Sequence, residues 1–280
     1  MIVGMHLSVA GRYSNAIAKA HSLGCNALQI FAQNPKGWSA RSFAPGEVDE
    51  FRKLASDYGV EAIVIHTPYL INLASPNGRL VRNSRDAIRN SLERADILGA
   101  QYVATHIGSS RGRDLDDAIR AVSEGLDEIL ETRFASQLLL ENTAGSGNII
   151  GASFEELARI IEGSEFSDRL GVCLDTAHAY AAGYDVASGD GLERTVEEFD
   201  RHLRLERLKV IHTNDTRVAL GSRIDRHWHI GQGSIGIDGF RRIAGHPVLT
   251  NLPFILETPV TEDGDDEKNL EAFRALFSMR

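Results

Sequence analysis

Six short stretches of this sequence share one design, in which an apolar run stops abruptly at His, Glu or Asp. They are Ala62-Ile-Val-Ile-His66, Tyr102-Val-Ala-Thr-His106, Leu138-Leu-Leu-Glu141, Gly171-Val-Cys-Leu-Asp175, Leu208-Lys-Val-Ile-His212 and Phe254-Ile-Leu-Glu257. A run of this length, rich in β-branched residues, is typical of a strand buried on both faces. Because a buried strand has no structural need to end in a metal-ligating side chain, the repeated ending predicts that the six ends converge on one site.

The rest of the chain supplies the other parts of a barrel. Ile2-Val-Gly-Met-His6 and Ala27-Leu-Gln-Ile-Phe31 bring the predicted strands to eight. Helical periodicity and one capping box predict helices over residues 13–23, 79–98, 115–130, 153–161, 192–203 and 270–277. Strands that alternate with helices form a parallel sheet. We therefore predict one (β/α)₈ TIM barrel over residues 1–280, an α/β fold whose active site lies where the strands end. A doubly wound open sheet would usually carry a glycine-rich phosphate loop, which is not found here.

Composition narrows the class of protein. The chain has 280 residues, a formal net charge of -9 and two cysteines, which are too few for a disulfide framework and favour a reducing compartment. Its first residues lack the basic region of a signal peptide, and no apolar run approaches the ~20 residues of a membrane span. These features predict a cytoplasmic enzyme without a membrane partner, and the acidity argues mildly against nucleic-acid binding.

The candidate metal ligands are the strand-end residues together with three residues in nearby loops. Asp175-Thr-Ala-His178 and Asp225-Arg-His227 supply the additional ones. The full set is His66, His106, Glu141, Asp175, His178, His212, Asp225, His227 and Glu257. About four such ligands serve one zinc ion, so nine are enough for two or three ions. His6 also ends a strand, where a ligand and a supporting role are both open, and we expect a supporting role for His229.

Three long motifs carry a family resemblance. They are His66-Thr-Pro-Tyr-Leu-Ile-Asn72, Leu174-Asp-Thr-Ala-His178 with Gly183-Tyr-Asp185, and His212-Thr-Asn-Asp215 followed by Gly221-Ser-Arg-Ile-Asp-Arg-His227 and Gly231-Gln-Gly233. Gly4-Met-His-Leu-Ser8 and Glu141-Asn-Thr-Ala-Gly145 agree as well. On these motifs the sequence resembles the endonuclease IV family of apurinic/apyrimidinic endonucleases, from residue 1 to the last helix.

The resemblance implies three zinc ions at the mouth of the barrel. Glu141 would bridge two ions, one held also by His66 and His106 and another by Asp175, His212 and Glu257. The third ion would bind His178, Asp225 and His227. Glu141 and Glu257 are the residues to which we assign catalysis. Three zinc ions would change the charge from -9 to -3 and leave +2 against the four carboxylates of the site, which answers the objection from acidity.

The implied reaction is hydrolysis of the phosphodiester bond 5′ to an abasic site in double-stranded DNA. It leaves a 3′-hydroxyl and a 5′-deoxyribose phosphate, and a 3′-end-cleaning activity is also expected. Tyr69 and Leu70 would insert where the abasic nucleotide flips out, Lys36 matches a DNA-contact position, and Arg226 is a candidate phosphate contact. The family suggests a monomer without an organic cofactor.

Three places in the sequence differ from many family members. Ala177 stands where Cys is frequent, Thr216-Arg217 where Ser-Lys or Ala-Lys is common, and Gln232 where Glu is frequent. None of these differences removes a ligand. They leave open the rate and the preference among abasic sites, blocked 3′-ends and oxidised bases, and the sequence also leaves open whether another metal replaces one zinc ion.

Two other functions compete with this interpretation. A sugar isomerase or epimerase of the same barrel type would need one metal, held by a set such as Glu141, Asp175, His212 and Glu257, and would leave the five remaining ligands without a role. A protein that binds damaged DNA without cutting it would keep the ligands but not the turnover.

Overall fold

The computed structural model describes residues 1–277, so the last three residues of the predicted domain lie outside it. Eight parallel strands form the barrel, which are β1 Ile2–His6, β2 Ala27–Phe31, β3 Ala62–His66, β4 Tyr102–Thr105, β5 Gln137–Glu141, β6 Leu170–Asp175, β7 Leu208–His212 and β10 Pro253–Leu256. They close in the order β1-β10-β7-β6-β5-β4-β3-β2. This confirms the predicted (β/α)₈ barrel. Strands β4 and β10 end one residue earlier than predicted, so His106 and Glu257 are the first residues beyond them.

Helices surround the barrel, and the prediction missed three of them. The described helices are α1 Tyr13–Ser22, α2 Glu47–Asp57, α3 Gly78–Leu98, α4 Leu115–Leu130, α5 Phe154–Glu162, α6 Thr176–Ala182, α7 Gly189–Leu203, α8 Gly236–Gly245 and α9 Asp265–Ala275. The missed helices are α2, α6 and α8. Helix α2 buries few apolar side chains, α6 has only seven residues, and α8 has glycines at two of its first four positions, so none gives a strong periodic signal.

Two helices begin several residues earlier than predicted. Helix α7 begins at Gly189 rather than at residue 192, because the hydroxyl of Ser188 accepts the N–H of Gly191 at 3.1 Å. Helix α9 begins at Asp265 rather than at residue 270 and ends at Ala275. No helix within residues 1–277 is long and apolar enough to cross a membrane.

Alternate residues of each strand face the barrel axis, where they form an apolar plug. Its fully buried members are Ala27, Ala62, Val64, Ala104, Leu139, Cys173, Val210 and Ile255. The residues between them pack outward against the helices, as Leu28, Ile63 and Ile211 do in the larger core. Because side chains alternate along a strand, the residue two places beyond each plug residue also faces the axis, one layer nearer the mouth.

A short hairpin after β7 lies at the mouth. Its strands, β8 Asp215–Thr216 and β9 His227–Trp228, pair antiparallel. The buried carboxylate of Asp215 accepts backbone N–H groups from Thr216, Gly233, Ile235 and Gly236 at 2.8–3.3 Å. This carboxylate therefore ties the hairpin to the start of α8.

The long connection between β2 and α2 is held by a second buried carboxylate. Glu47 accepts the backbone N–H of Tyr13 at 2.9 Å and that of Ala44 at 2.8 Å. The guanidinium of Arg41 donates to both of its oxygens, at 2.5 and 2.8 Å. Arg41 also lies over the Tyr13 ring, 4.6 Å from its centroid. The connection, which carries Lys36, is thus anchored to the start of helix α1.

Candidate metal centre

Six of the nine candidate ligands occupy the layer directly above the apolar plug. Each follows a plug residue by two positions, as Val64 is followed by His66 and Leu139 by Glu141. Strand pairing aligns Asp175 of β6 with His212 of β7. The converging strand ends that the sequence predicts are therefore produced by side-chain alternation in a closed parallel barrel.

Eight of the nine residues lie close enough to form metal-binding groups. Ligand atoms within 4.8 Å of one another define three groups, which are His66–His106–Glu141, Glu141–Asp175–His212–Glu257 and Asp175–His178–His227. Glu141 belongs to two groups, and Asp175 also belongs to two. Asp225 lies at the edge of the third group, where its Oδ1 is 3.2 Å from His178 Nε2 and 3.5 Å from His227 Nε2.

Backbone carbonyl groups orient three of the imidazole rings. Nδ1 of His66 lies 2.7 Å from the oxygen of Thr67, Nδ1 of His178 lies 3.0 Å from that of Asn142, and Nδ1 of His227 lies 3.3 Å from that of Glu257. A carbonyl oxygen only accepts hydrogen bonds, so each Nδ1 carries the proton. The Nε2 atoms are then unprotonated in the neutral rings and point into the groups, the arrangement typical of metal-ligating histidines.

The donor atoms fit a cation. Nε2 of His178 and Nε2 of His227 lie only 3.4 Å apart, and with both Nδ1 atoms protonated each would direct a lone pair at the other. Between two neutral rings, this contact of nitrogen atoms is unfavourable unless a proton or a metal ion lies between them. Imidazole nitrogen with carboxylate oxygen is also the donor set that zinc prefers.

The electrostatics of the groups favour positive charge. Burial alone raises the pKa of a carboxyl, yet His106 and His212 hold the pKa of Glu141 well below its usual range. Burial lowers the pKa of an imidazole, yet Asp175, Asp225 and Glu141 raise the pKa of His178 well above its usual value. Ionised carboxylates are thus available to bind cations, and the same field draws protons to the rings when metal is absent.

The candidate ligands range from fully buried to exposed. Glu141, Asp175, His178 and His212 are buried, whereas the Asp225 side chain is 57% exposed. A cavity of about 460 Å³ opens above them at the mouth and is lined by both Glu141 and Glu257. The ligands are therefore enclosed at the bottom of the cavity and become accessible to solvent at the rim.

Of the four candidate DNA contacts, Tyr69 lines this cavity. Tyr69 is 61% exposed and packs edge-on against Phe31, at 5.2 Å between ring centroids, while the neighbouring Leu70 is 38% exposed. Lys36 and Arg226 are exposed as well. The backbone N–H of Tyr69 donates to the oxygen of Pro35 at 3.1 Å, which links the Tyr69 loop to the segment that carries Lys36.

The three positions that differ from the family pattern lie on the hairpin side. Ala177 is buried in α6. Thr216 donates its hydroxyl to the backbone oxygen of Arg226 at 2.7 Å, and the Arg217 guanidinium lies 3.2 Å from the centroid of the Trp228 ring. Gln232 donates its backbone N–H to the oxygen of His229 at 3.1 Å. All of these contacts are local to the hairpin and its neighbours.

Two further residues belong to the ligand layer, His6 and Gln29, and Gln29 was not predicted to lie there. Gln29 is fully buried, and its amide contacts His6, His212 and Glu257. His6 Nδ1 lies 3.6 Å from Glu257 Oε1. Gln29 stands two positions beyond the plug residue Ala27, so the alternation that selects the ligands also selects it. His229 contacts Asn269 at 3.1 Å, outside the three groups.

Comparisons of the sequence with known proteins agree on one family. A family model described as a xylose isomerase-like TIM barrel matches residues 17–277. The probable endonuclease 4 of Methanoculleus marisnigri is 41% identical over 278 residues, which are 99% of each chain. That of Halothermothrix orenii is 41% identical over 271 residues, covering 96% of this chain and 98% of the relative.

Solved structures agree. The crystal structure of endonuclease IV from Thermus thermophilus matches with a TM-score of 0.89 and 41% identity over the whole of both chains. A D-tagatose 3-epimerase-like protein matches with a TM-score of 0.76 but only 21% identity, over 100% of this chain and 98% of that one, and shares the fold alone. With its barrel, its ligand groups and full-length relatives at about 40% identity, the chain belongs to the endonuclease 4 family.

Proposed function

We propose that this protein is a zinc-dependent DNA-repair endonuclease that cuts the phosphodiester bond 5′ to an abasic site in double-stranded DNA. The products are a 3′-hydroxyl and a 5′-deoxyribose phosphate, and the same site would clean blocked 3′-ends. The observation that carries the proposal is the presence of three overlapping ligand groups at the mouth of the barrel in a member of the endonuclease 4 family. We further propose that it acts as a cytoplasmic monomer, with residues 1–280 as one catalytic domain and no organic cofactor.

The nine ligands would hold three zinc ions, grouped as the family resemblance implies. Zinc bound there would lower the pKa of water from about 15.7 to roughly 7 and would neutralise charge on the phosphate. Glu141 joins two groups because its Oε2 lies 3.1 Å from His66 Nε2 and its Oε1 lies 3.1 Å from His212 Nδ1. Its carboxylate therefore sets the spacing between the groups.

We assign Glu141 and Glu257 to catalysis. Both line the mouth cavity, and both approach His212 Nδ1, at 3.1 and 3.2 Å. Burial raises the pKa of Glu257, but His212 and His6 hold that pKa well below its usual range. Both carboxylates stay ionised at neutral pH, so they can orient cations and accept hydrogen bonds from water beside the reacting phosphate.

The rim can receive a distorted duplex. Tyr69 stands 6.1 Å from His66 between ring centroids, so a side chain inserted into DNA would lie directly beside the ligands. Lys36 and Arg226 would contact phosphates on either side. Unstacking costs least where a base is already missing, so selectivity for abasic sites follows from the ease of flipping the nucleotide.

The single-metal isomerase remains the competing function, since Glu141, Asp175, His212 and Glu257 do form one group. The remaining histidines discriminate between the two. A one-metal enzyme has no use for His66 and His106 on one side of that group and His178 and His227 on the other, all aimed inward. The identity of about 40% to endonuclease 4 relatives also favours the nuclease.

The test uses a duplex oligonucleotide with one abasic site. We expect the purified protein to cut on the 5′ side and to carry about three zinc ions per chain. His227→Ala should lose one zinc ion and slow incision by at least about 100-fold, whereas His202→Ala, in the outer helix α7, should match the wild type. Unchanged zinc content and incision in His227→Ala would refute the third-ion assignment. Activity on a ketose with none on abasic DNA would favour the isomerase.

A further inference from the structure

Gln29 is a buried polar residue in the ligand layer, but it is not one of the nine candidate metal ligands. It lies in β2, paired with His6 of β1 and Val64 of β3, and its relative exposure is 0%. A buried amide costs free energy unless its donors and acceptor find partners. Each polar atom of the Gln29 amide has one: Oε1 lies 2.8 Å from His212 Nε2, and Nε2 lies 2.6 Å from Glu257 Oε1 and 2.9 Å from His6 Nδ1.

These contacts determine the direction of every hydrogen bond. The Glu257 carboxylate only accepts, so the nitrogen of the amide must face it and the oxygen must face His212. An amide oxygen also only accepts, so His212 carries its proton on Nε2. Nδ1 of His212 is then left to face Glu141 Oε1 at 3.1 Å and Glu257 Oε2 at 3.2 Å. Both oxygens only accept, so Nδ1 must hold either a proton or a cation there, and a metal ion would bind its lone pair.

Three of the other four histidines of the centre have the opposite tautomer. His66, His178 and His227 are protonated on Nδ1 by contact with carbonyl oxygens, and so present Nε2 to their groups. His212 presents Nδ1 instead, and its Nε2 faces a side-chain amide where the other three rings face the backbone. The amide oxygen of Gln29 therefore takes the place of a backbone carbonyl group.

We propose that Gln29 is a positioning residue for the group Glu141–Asp175–His212–Glu257. It holds His212 with Nδ1 free to ligate, and it occupies Glu257 Oε1 so that Oε2 turns toward the group. This inference rests on the proposed metal-dependent function. Gln29 itself touches neither metal nor substrate, so its effect reaches the site only through the two ligands it orients. Outer hydrogen bonds of this kind are worth about 10–100-fold in metal affinity.

Gln33 provides a matched control in the same segment. It is also a buried glutamine, and its Nε2 donates to the oxygen of Ala87 and to the hydroxyl of Ser91, both at 2.7 Å. It contacts none of the nine ligands. Gln33→Met and Gln29→Met therefore remove similar buried hydrogen bonds with similar changes of volume, but only the second removes the partner of a ligand.

The first experiment measures zinc binding by the metal-free protein in competition with a chromophoric chelator. We expect Gln29→Met to weaken one zinc site by about 10–100-fold and leave the others unchanged, whereas Gln33→Met keeps wild-type affinities. Equal zinc affinities in Gln29→Met and Gln33→Met would overturn the proposal.

The second experiment needs no variant to fold. Nitrogen chemical shifts of the imidazole rings, measured in the zinc-loaded wild-type protein, should show His212 protonated on Nε2. A proton on Nδ1 would overturn the proposal even if Gln29→Met were too unstable to study. Neither readout uses DNA, so a protein that binds zinc as expected but leaves abasic DNA uncut would refute the proposed function and not the role of Gln29.

Discussion

Replacing Asp215 by Asn should loosen the hairpin that carries His227. The Asp215 carboxylate accepts two backbone N–H groups on each oxygen, Thr216 and Ile235 on Oδ1 and Gly233 and Gly236 on Oδ2. The asparagine side chain has nearly the same volume, but one oxygen becomes an NH₂ group. Two N–H groups at that position would then face a donor instead of an acceptor.

The magnitude follows from the two donors left without a partner. Each buried unsatisfied group costs about 1–3 kcal/mol, so partial relaxation leaves a net loss of roughly 3 kcal/mol. At about 2.1 cal/mol/K per residue, a chain of 280 residues unfolds with an entropy of about 0.6 kcal/mol/K, so the loss lowers Tm by about 5 °C. Calorimetry of the metal-free protein measures this shift.

The control is Asp238→Asn in helix α8. Asp238 has a side chain 67% exposed that, within residues 1–277, pairs only with Arg241. Because an exposed ion pair contributes less than about 1 kcal/mol to the free energy of unfolding, the Tm of Asp238→Asn should fall by at most about 2 °C. If Asp215→Asn melted no lower than Asp238→Asn, the four hydrogen bonds would not hold the hairpin and the reasoning would be wrong. A loosened hairpin should also reduce zinc occupancy at the group that contains His227.

Two further predictions concern the fold. Arg41 holds the pKa of Glu47 at about 2 against an ordinary 4.5, so the pair stabilises the protein above pH 4.5 and this contribution is lost as the pH falls toward 2. Glu47→Gln should cost roughly 2 kcal/mol at pH 7, and chemical denaturation should show the difference from wild type shrinking with acid; a constant difference would contradict the assignment. Gly4→Ala should prevent folding because the new Cβ would lie 2.0 Å from the backbone oxygen of Ala27, whereas Gly78→Ala, whose Cβ would meet only Arg82 Nη1 at an ordinary contact distance of 3.6 Å, should fold normally. Circular dichroism of the two proteins checks this, and a folded Gly4→Ala would show that β1 can shift away from β2.

Much of this molecule could be predicted because its strands give strong local signals. The runs over residues 62–66 and 208–212 each predict both a strand and the residue at which that strand ends. What the sequence did not reveal is the rotation of each strand about its axis, which decides which side chains meet. Gln29 was overlooked for that reason. Within Ala-Leu-Gln-Ile-Phe it is one polar residue among apolar ones. Only the structure shows that Ala27 faces the plug, and therefore that the Gln29 side chain, two positions later, reaches the ligands.

The position of Asp175 shows the same limit. The resemblance assigns it to the second ion, whereas the structure places its carboxylate also beside His178 and His227. The side chain further accepts the backbone N–H of His178 at 2.7 Å and so caps α6, a helix too short for periodicity to reveal. Distances across a site depend on backbone turns of this kind, which spacing along the chain does not determine.

The apolar plug has a consequence for the protein before it meets any metal. Small zinc domains are unfolded without their ion because the ion supplies most of what holds them together. Here the side chains of the plug already fasten the strands to one another at the other end of the barrel, and zinc would bind only the layer above them. A newly made chain can thus fold without metal, with the plug end of the barrel packed and the ligand layer less constrained. It can then bind its metal from the open mouth of the barrel.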